Sequence, residues 1–165
     1  MTTHDYVGIV GAEEAKFTTA GQVEARALIA RLLEPDGAVL VSGGCHLGGV
    51  DIWAEEEYDA LLALESRPES VIHPPAVHAW AQGYKPRNLL IARDSTVVHN
   101  ITVARYPAGY AGMRFAVCYH CERRFRKTDR RSPPHVKSGG CWTAYEAEKM
   151  GKRAHWHVIS NKEET

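Results

Sequence analysis

Three sets of residues in this chain have the types and spacing to do chemistry. The first is Ser42-Gly43-Gly44-Cys45-His46-Leu47-Gly48-Gly49-Val50-Asp51. Ser42, Gly43, Gly44, Gly48 and Gly49 let the backbone come close to a guest, and Asp51 opens an apolar pattern of helical spacing (Val50, Trp53, Ala54, Tyr58, Leu61). A glycine loop that ends in a helix offers free N–H groups and the positive end of a dipole, which attract phosphate. The second set, Ser138-Gly139-Gly140-Cys141-Trp142-Thr143, repeats this design before a helix that carries Glu146. The third is Cys118, Cys121, His135 and Cys141, spaced C-x2-C-x13-H-x5-C. Thiolates and a neutral imidazole at this spacing suit a tetrahedral zinc that folds a segment lacking its own core. The fourth ligand stays open between Cys141, which also belongs to the second glycine loop, and His120. An unmetallated, redox-active thiol pair is the competing reading, but no thioredoxin-like helix start follows Cys121.

The elements that must position these residues alternate. Tyr6 to Gly11 reads as a buried strand ending in glycine, followed by a loop with Glu13 and Glu14. Val23, Ala27, Leu28, Ala30 and Leu32 predict a helix from Thr19, stopped by Glu34-Pro35-Asp36-Gly37. Val39 to Val41 is the central strand, and a helix over about 51–64 follows the first glycine loop. Ser70 to His73 is a short strand, and Pro86 opens a short helix with Arg87 and Asn88 in its first turn. Thr96 to Val103 is β-branched and reads as a strand. The second glycine loop leads into a helix over Ala144 to Met150, and His155 to Ile159 is the last strand. Alternation of this kind predicts an α/β fold: a Rossmann-like three-layer domain with a mostly parallel central sheet, over 1–160. Ligands of such sheets bind at the C-terminal strand ends, where Gly11, Ser42 to Gly49 and Ser138 to Thr143 all fall. The basic stretch 104–136, with the CxxC, reads as an insertion on that edge, and Asn161 to Thr165 as a disordered tail.

Composition narrows the class. The chain has 165 residues, 44% of them apolar, which supports one domain with a proper core. Lys plus Arg and Asp plus Glu are both 20, so no overall field favours nucleic acid or an acidic membrane surface. No apolar run approaches a membrane span and no signal-peptide core is apparent, so the expected location is cytoplasmic. The four cysteines then point to metal or redox chemistry more than to a disulfide framework.

In their order, these motifs resemble the SLOG superfamily, a Rossmann-like group that includes the LOG phosphoribohydrolases, the DprA core and the YspA/YpsA-like proteins. The likeness to the YspA-like branch covers nearly the whole chain. It rests on Val7 to Gly11, Ser42-Gly43-Gly44 with Gly49-Val50-Asp51 and Ala54, Trp80, Arg87-Asn88, Thr96 to Val103, and Gly139 to Thr143. Ser138 to Glu146 is similar to the Pro-Gly-Gly-x-Gly-Thr-x-x-Glu loop of the LOG enzymes, with Ser138 in place of proline and Trp142 in place of glycine. The resemblance implies nucleotide binding, with Gly11, the first loop, Asp51, Asn88, Ser138, Gly139, Gly140, Trp142 and Thr143 around the ligand. It also points to phosphoribohydrolase activity, with Arg87 orienting the phosphate or leaving base, although Arg87-Asn88 matches the family's Arg-Lys pair only in part.

Cleavage of an N-glycosidic bond builds positive charge on the ribose, which a carboxylate stabilises, and Glu146 is the first candidate. Asp51 and Glu55, one turn apart, are suited to ribose hydroxyls or to a second acid/base role. Trp53 lies on the apolar stripe and belongs to the core. Trp80 suits stacking on a base or plugging a loop, and Trp142 is the best stacking residue. The expected function is binding of a nucleotide or nucleotide derivative, alone or as a homodimer. The alternatives are nucleoside-monophosphate hydrolysis and a DprA-like nucleic-acid module that uses the arginines of 114–131, against which the neutral net charge argues.

Overall fold

The computed structural model describes residues 3–112 and 135–163. Five strands form one sheet in the order β3-β2-β1-β4-β5, and every pairing is parallel. They are β1 (Asp5–Gly11), β2 (Ala38–Ser42), β3 (Val71–Ile72), β4 (Val97–Val103) and β5 (Arg153–Ile159). The helices are α1 (Thr19–Leu33), α2 (Val50–Leu64), α3 (Lys85–Asp94) and α4 (Gly139–Lys149). A 3-10 turn at Glu14–Lys16 precedes α1, and a turn of π-helix at Trp80–Tyr84 runs into α3.

Alternation along the strands builds both layers. Val7, Ile9, Leu40, Val97, Ile101 and Val103 face α1 and α2, where Ala25, Ile29 and Leu33 recur every fourth residue beside Trp53, Ala54 and Tyr58. Val10, Val41 and Val98 face α3 and α4, against Ile91, Ala92, Ala144 and Ala147. The predicted three-layer α/β architecture is therefore present, with an entirely parallel sheet.

Helix ends explain the boundaries. Thr18 caps α1, its hydroxyl accepting the Gly21 amide at 3.0 Å. At the other end the Arg67 guanidinium donates to the Leu33 and Glu34 carbonyls at 2.6 and 2.9 Å. These are carbonyls that a helix terminus leaves without intrahelical partners.

Two boundaries differ from the sequence reading. Helix α4 starts at Gly139 rather than Ala144, so the second glycine pair is the helix's own first turn. Glycine's low helix propensity hides this from composition. Asn161, expected in a disordered tail, is fully buried. Its side-chain oxygen accepts the Thr18 amide at 2.7 Å, and its Nδ2 donates to the Lys16 and Arg105 carbonyls at 2.9 Å each. The chain after β5 is thereby tied to the start of α1. Most of the basic insertion, 113–134, lies outside the described residues.

Chain order reverses beside β1. The chain runs outward through β2 and β3, then crosses to β4 on the other flank. Loops from neighbouring strands diverge at such a point, which leaves a crevice at the C-terminal strand ends. A cavity of about 200 Å³ lies at the opposite, N-terminal ends of the strands, lined in part by Asp5, Val97, Arg153 and His155.

Candidate functional site

The site is a contiguous set of contacts around the C-terminal end of β1. Gly11 closes that strand, packed so tightly between the Ile101 backbone and Val50 that a side chain would collide with both. On one side stands the start of α2. Gly49, its N-cap, has φ 88° and ψ −147°, and a Cβ there would lie 2.5 Å from the Ala12 carbonyl oxygen and the Glu14 nitrogen. Glycine is required on both counts, conformation and space. The Val50 amide donates to the Ala12 carbonyl at 3.2 Å, which locks α2 against the loop after β1.

On the other side stands the first turn of α4. A side chain on Gly140 would strike the Asn100 amide oxygen and lie 3.1 Å from the Gly11 nitrogen. A Cβ on Gly139 would lie 3.5 Å from Asn88 Nδ2. Ser138, the N-cap, makes no side-chain cap bond and donates instead to Asn100 Oδ1 at 3.3 Å. Asn100 Nδ2 in turn donates to Cys141 Sγ at 3.3 Å. Asn100 is fully buried on the inner strand β4 and ties it to the α4 turn.

Arg87 knits the first glycine loop to both helices behind it. Its Nη1 donates to the Gly43 carbonyl and lies 3.6 Å from Asp51 Oδ2, while its Nε donates to Asn88 Oδ1 at 2.6 Å. The guanidinium also sits 5.3 Å from the centre of the Tyr84 ring. Arg87 and Asp51 are both largely shielded from solvent. Ser42 Oγ donates to the Asp51 carbonyl at 3.4 Å, and the loop's own turn is closed by the Gly48 amide on the Cys45 carbonyl.

Burial dominates the electrostatics. It pushes Asp51 up to about 6, against the opposing pull of Arg87 and of the Cys45 amide. It pushes Glu55 up to about 7, with the negative charges of Asp51 and Asp59 acting in the same direction. Glu55 Oε2 is buried without a hydrogen-bond partner, and its Oε1 would lie 3.7 Å from a Cβ on Gly44. A carboxyl held in this way is a strong acceptor, or a donor when protonated, beside the first glycine loop. Lys16 brings a buried cation to the same neighbourhood. Burial lowers it, while Glu13, Cys141 and Cys45 raise it.

The structure thus brings together Gly11, Gly43, Asp51, Arg87, Asn88, Gly139 and Gly140, with Ser42, Gly44, Gly48, Gly49 and Ser138 on the same loops. Trp142 and Thr143 follow within one turn of α4, the Thr143 hydroxyl turned back to the Gly139 carbonyl at 3.1 Å. Glu146 stands seven residues along that helix from Gly139, about 10 Å along the axis, and is paired with Lys149 at 3.0 Å. His135 and Cys141 are both buried, with Nε2 and Sγ 3.6 Å apart. Cys118, Cys121 and His120 lie outside the described residues. Among the described residues, no three His, Cys, Asp or Glu side chains are grouped so as to hold a metal ion.

Three contributors are not evident in the sequence: Lys16, Asn100 and Tyr84. Only Asn100 carries a signal there, as an amide set in an otherwise β-branched strand.

No protein-family model matches the chain, and no curated protein does. Two solved structures share its fold. DNA processing protein A from Helicobacter pylori, described as binding single-stranded DNA, is 20% identical with a TM-score of 0.53; the match covers 93% of this chain and 65% of that one. The molybdenum cofactor carrier protein of Chlamydomonas reinhardtii is 14% identical with a TM-score of 0.53, over 93% of this chain and 76% of that one. The chain therefore spans just under two thirds of the first of these proteins. Both likenesses establish the Rossmann-like architecture. Among the described residues, no helix is long and apolar enough to cross a membrane.

Proposed function

We propose that this protein binds a nucleotide or nucleotide derivative as a SLOG-type domain of the YspA-like branch. The phosphate is held at the glycine-bearing strand ends and the first turn of α4. The observation that carries this reading is the convergence of two contact sets where chain order reverses: Gly11 with Gly140 and Asn100, and Arg87 with Gly43, Asp51 and Asn88, the last beside Gly139. Glycine wherever the backbones meet, a helix N-terminus with no side-chain cap and the buried cation Lys16 suit an anion. Glu55, with a buried oxygen that lacks a partner, suits the hydroxyls of an attached ribose. The two structural neighbours add support of a general kind. One is described as binding single-stranded DNA and the other as a carrier of the molybdenum cofactor.

The test is thermal unfolding with nucleoside monophosphates, followed by chromatography of the mixture. The expected result is a higher Tm in the presence of the nucleotide, which is recovered intact. Release of free base would instead favour the phosphoribohydrolase reading. Glu55 is better suited than Glu146 to serve that reaction, because its carboxyl lies near neutrality beside the first loop whereas Glu146 is engaged by Lys149. Glu55→Gln would then abolish release, and Glu146→Gln would spare it.

The same proposal includes a structural zinc bound by Cys118, Cys121, His135 and Cys141. Its support is the ligand spacing together with the buried approach of His135 to Cys141. Cys141 stands in the first turn of α4, so the ion would hold the turn that receives the phosphate and take no part in chemistry itself.

A further inference from the structure

Next to the glycine network is a group of aromatic rings drawn from three separate elements. The π-turn supplies Trp80 and Tyr84, the first turn of α4 supplies Trp142, and the first glycine loop supplies His46. The Trp80 and Trp142 rings meet edge to face, with centroids 5.5 Å apart and planes at 84°. His46 and His78 lie 3.7 Å apart between ring centroids, and the Tyr84 hydroxyl reaches Nδ1 of both, at 3.5 and 3.3 Å. Tyr84 also packs against Arg87, which binds the Gly43 carbonyl. The aromatic group and the glycine network are thus continuous.

Three features separate this group from ordinary core packing. Trp80 is 46% exposed, although an indole is among the most costly side chains to leave in water. It is carried on a π-turn, a rare geometry that recurs at functional sites. That turn is held by Gly83, which packs against the Val77 carbonyl so closely that no side chain fits. The backbone is therefore committed to presenting Trp80 and Tyr84 together.

We propose that Trp142 and Trp80 form the wall that receives the planar heterocycle of a mononucleotide-sized ligand, Trp142 stacking on its face and Trp80 meeting its edge. The inference rests on the phosphate-binding reading above and adds the class of group that the phosphate must carry. Stacking of a base on an aromatic side chain adds to affinity whatever the base, because every base has a π-face. It follows that the ring should account for roughly a tenfold gain in affinity over the sugar phosphate alone.

The experiment is a titration by calorimetry and by tryptophan fluorescence, on the intact chain, with AMP, GMP, ribose 5-phosphate and a short oligo-dT. Wild type should bind the two nucleotides about tenfold more tightly than ribose 5-phosphate, with quenching of indole emission. Trp142→Ala should abolish that preference and leave ribose 5-phosphate binding within about twofold of wild type. Trp80→Phe, which keeps an aromatic ring and guards against misfolding of the turn, should lose part of the quenching while keeping part of the preference. A nucleotide preference that survives Trp142→Ala, with ribose 5-phosphate still bound, overturns the wall alone. Failure of every phosphate compound to bind removes the phosphate reading and this one with it. Quenching by oligo-dT without any response to AMP or GMP also overturns the proposal and assigns the rings to nucleic acid.

Discussion

Glu55 is the residue whose setting is hardest to reconcile with the chain alone. Its carboxyl is raised from 4.5 to about 7, and that of Asp51 from 3.8 to about 6. Groups raised in this way contribute stability that is complete below their unfolded values and lost as pH rises through the folded ones. The ligand-free protein should therefore lose stability from this pair between about pH 4 and 7. Glu55→Gln, which keeps the shape and removes the charge, should stabilise the fold by about 1–2 kcal/mol at pH 8 and by little at pH 5. Urea unfolding of both proteins at the two pH values checks this. The spacing of Asp51 and Glu55 was legible as one helix face, but their burial was not. It depends on Arg87 and Gly43, which the chain brings in from 36 positions after Asp51 and 8 positions before it.

At the scale of elements, β1 and β2 were readable as short apolar runs and α2 by its helical spacing. Helix α1 was readable as a helix, but the face read from Val23, Ala27, Leu28, Ala30 and Leu32 is not the one that packs, because Val23 and Ala27 are exposed while Ala25, Ile29 and Leu33 are buried. The start of α4 and the π-turn were not readable. Gly139 and Gly140 read as loop because glycine is a poor helix former, whereas Gly140 is needed because Asn100 and Gly11 leave no room for a side chain. Trp80 to Tyr84 shows no periodicity to read. Arg87 makes α3 the brace of the first glycine loop, so Arg87→Ala should cost about 3–5 kcal/mol by leaving Asp51 buried and unpaired. The double change Arg87→Met with Asp51→Leu should recover most of that loss, and denaturation of the single and double variants measures the difference. Asn161→Ala removes the hydrogen bonds to Thr18, Lys16 and Arg105 and should cost about 2–3 kcal/mol, read in the same way.

Across the whole molecule, the convergence of Gly11, the first glycine loop and the α4 turn was legible in advance because parallel topology sends them to one end of the sheet. Of the residues that adjoin it, Lys16 and Tyr84 lie close in sequence to Gly11 and Arg87 but carry no motif, and Asn100 shows only as an amide in a β-branched strand. Chelation is the test at this scale. If zinc holds the α4 turn, adding a strong chelator at neutral pH should lower Tm by several degrees and weaken nucleotide binding in parallel, and added Zn²⁺ should reverse both. Elemental analysis of the purified protein should give one zinc per chain. The placement of β1 carries a further consequence. It precedes β2 and β4 in the chain yet lies between them, and β4 follows β2 by some sixty residues. During synthesis the half-sheet β3-β2-β1 can assemble with one flank of β1 open, a sticky edge exposed for several seconds at ordinary elongation rates. Nascent chains stalled before residue 97 should therefore recruit chaperones that chains stalled after Asn161 no longer need.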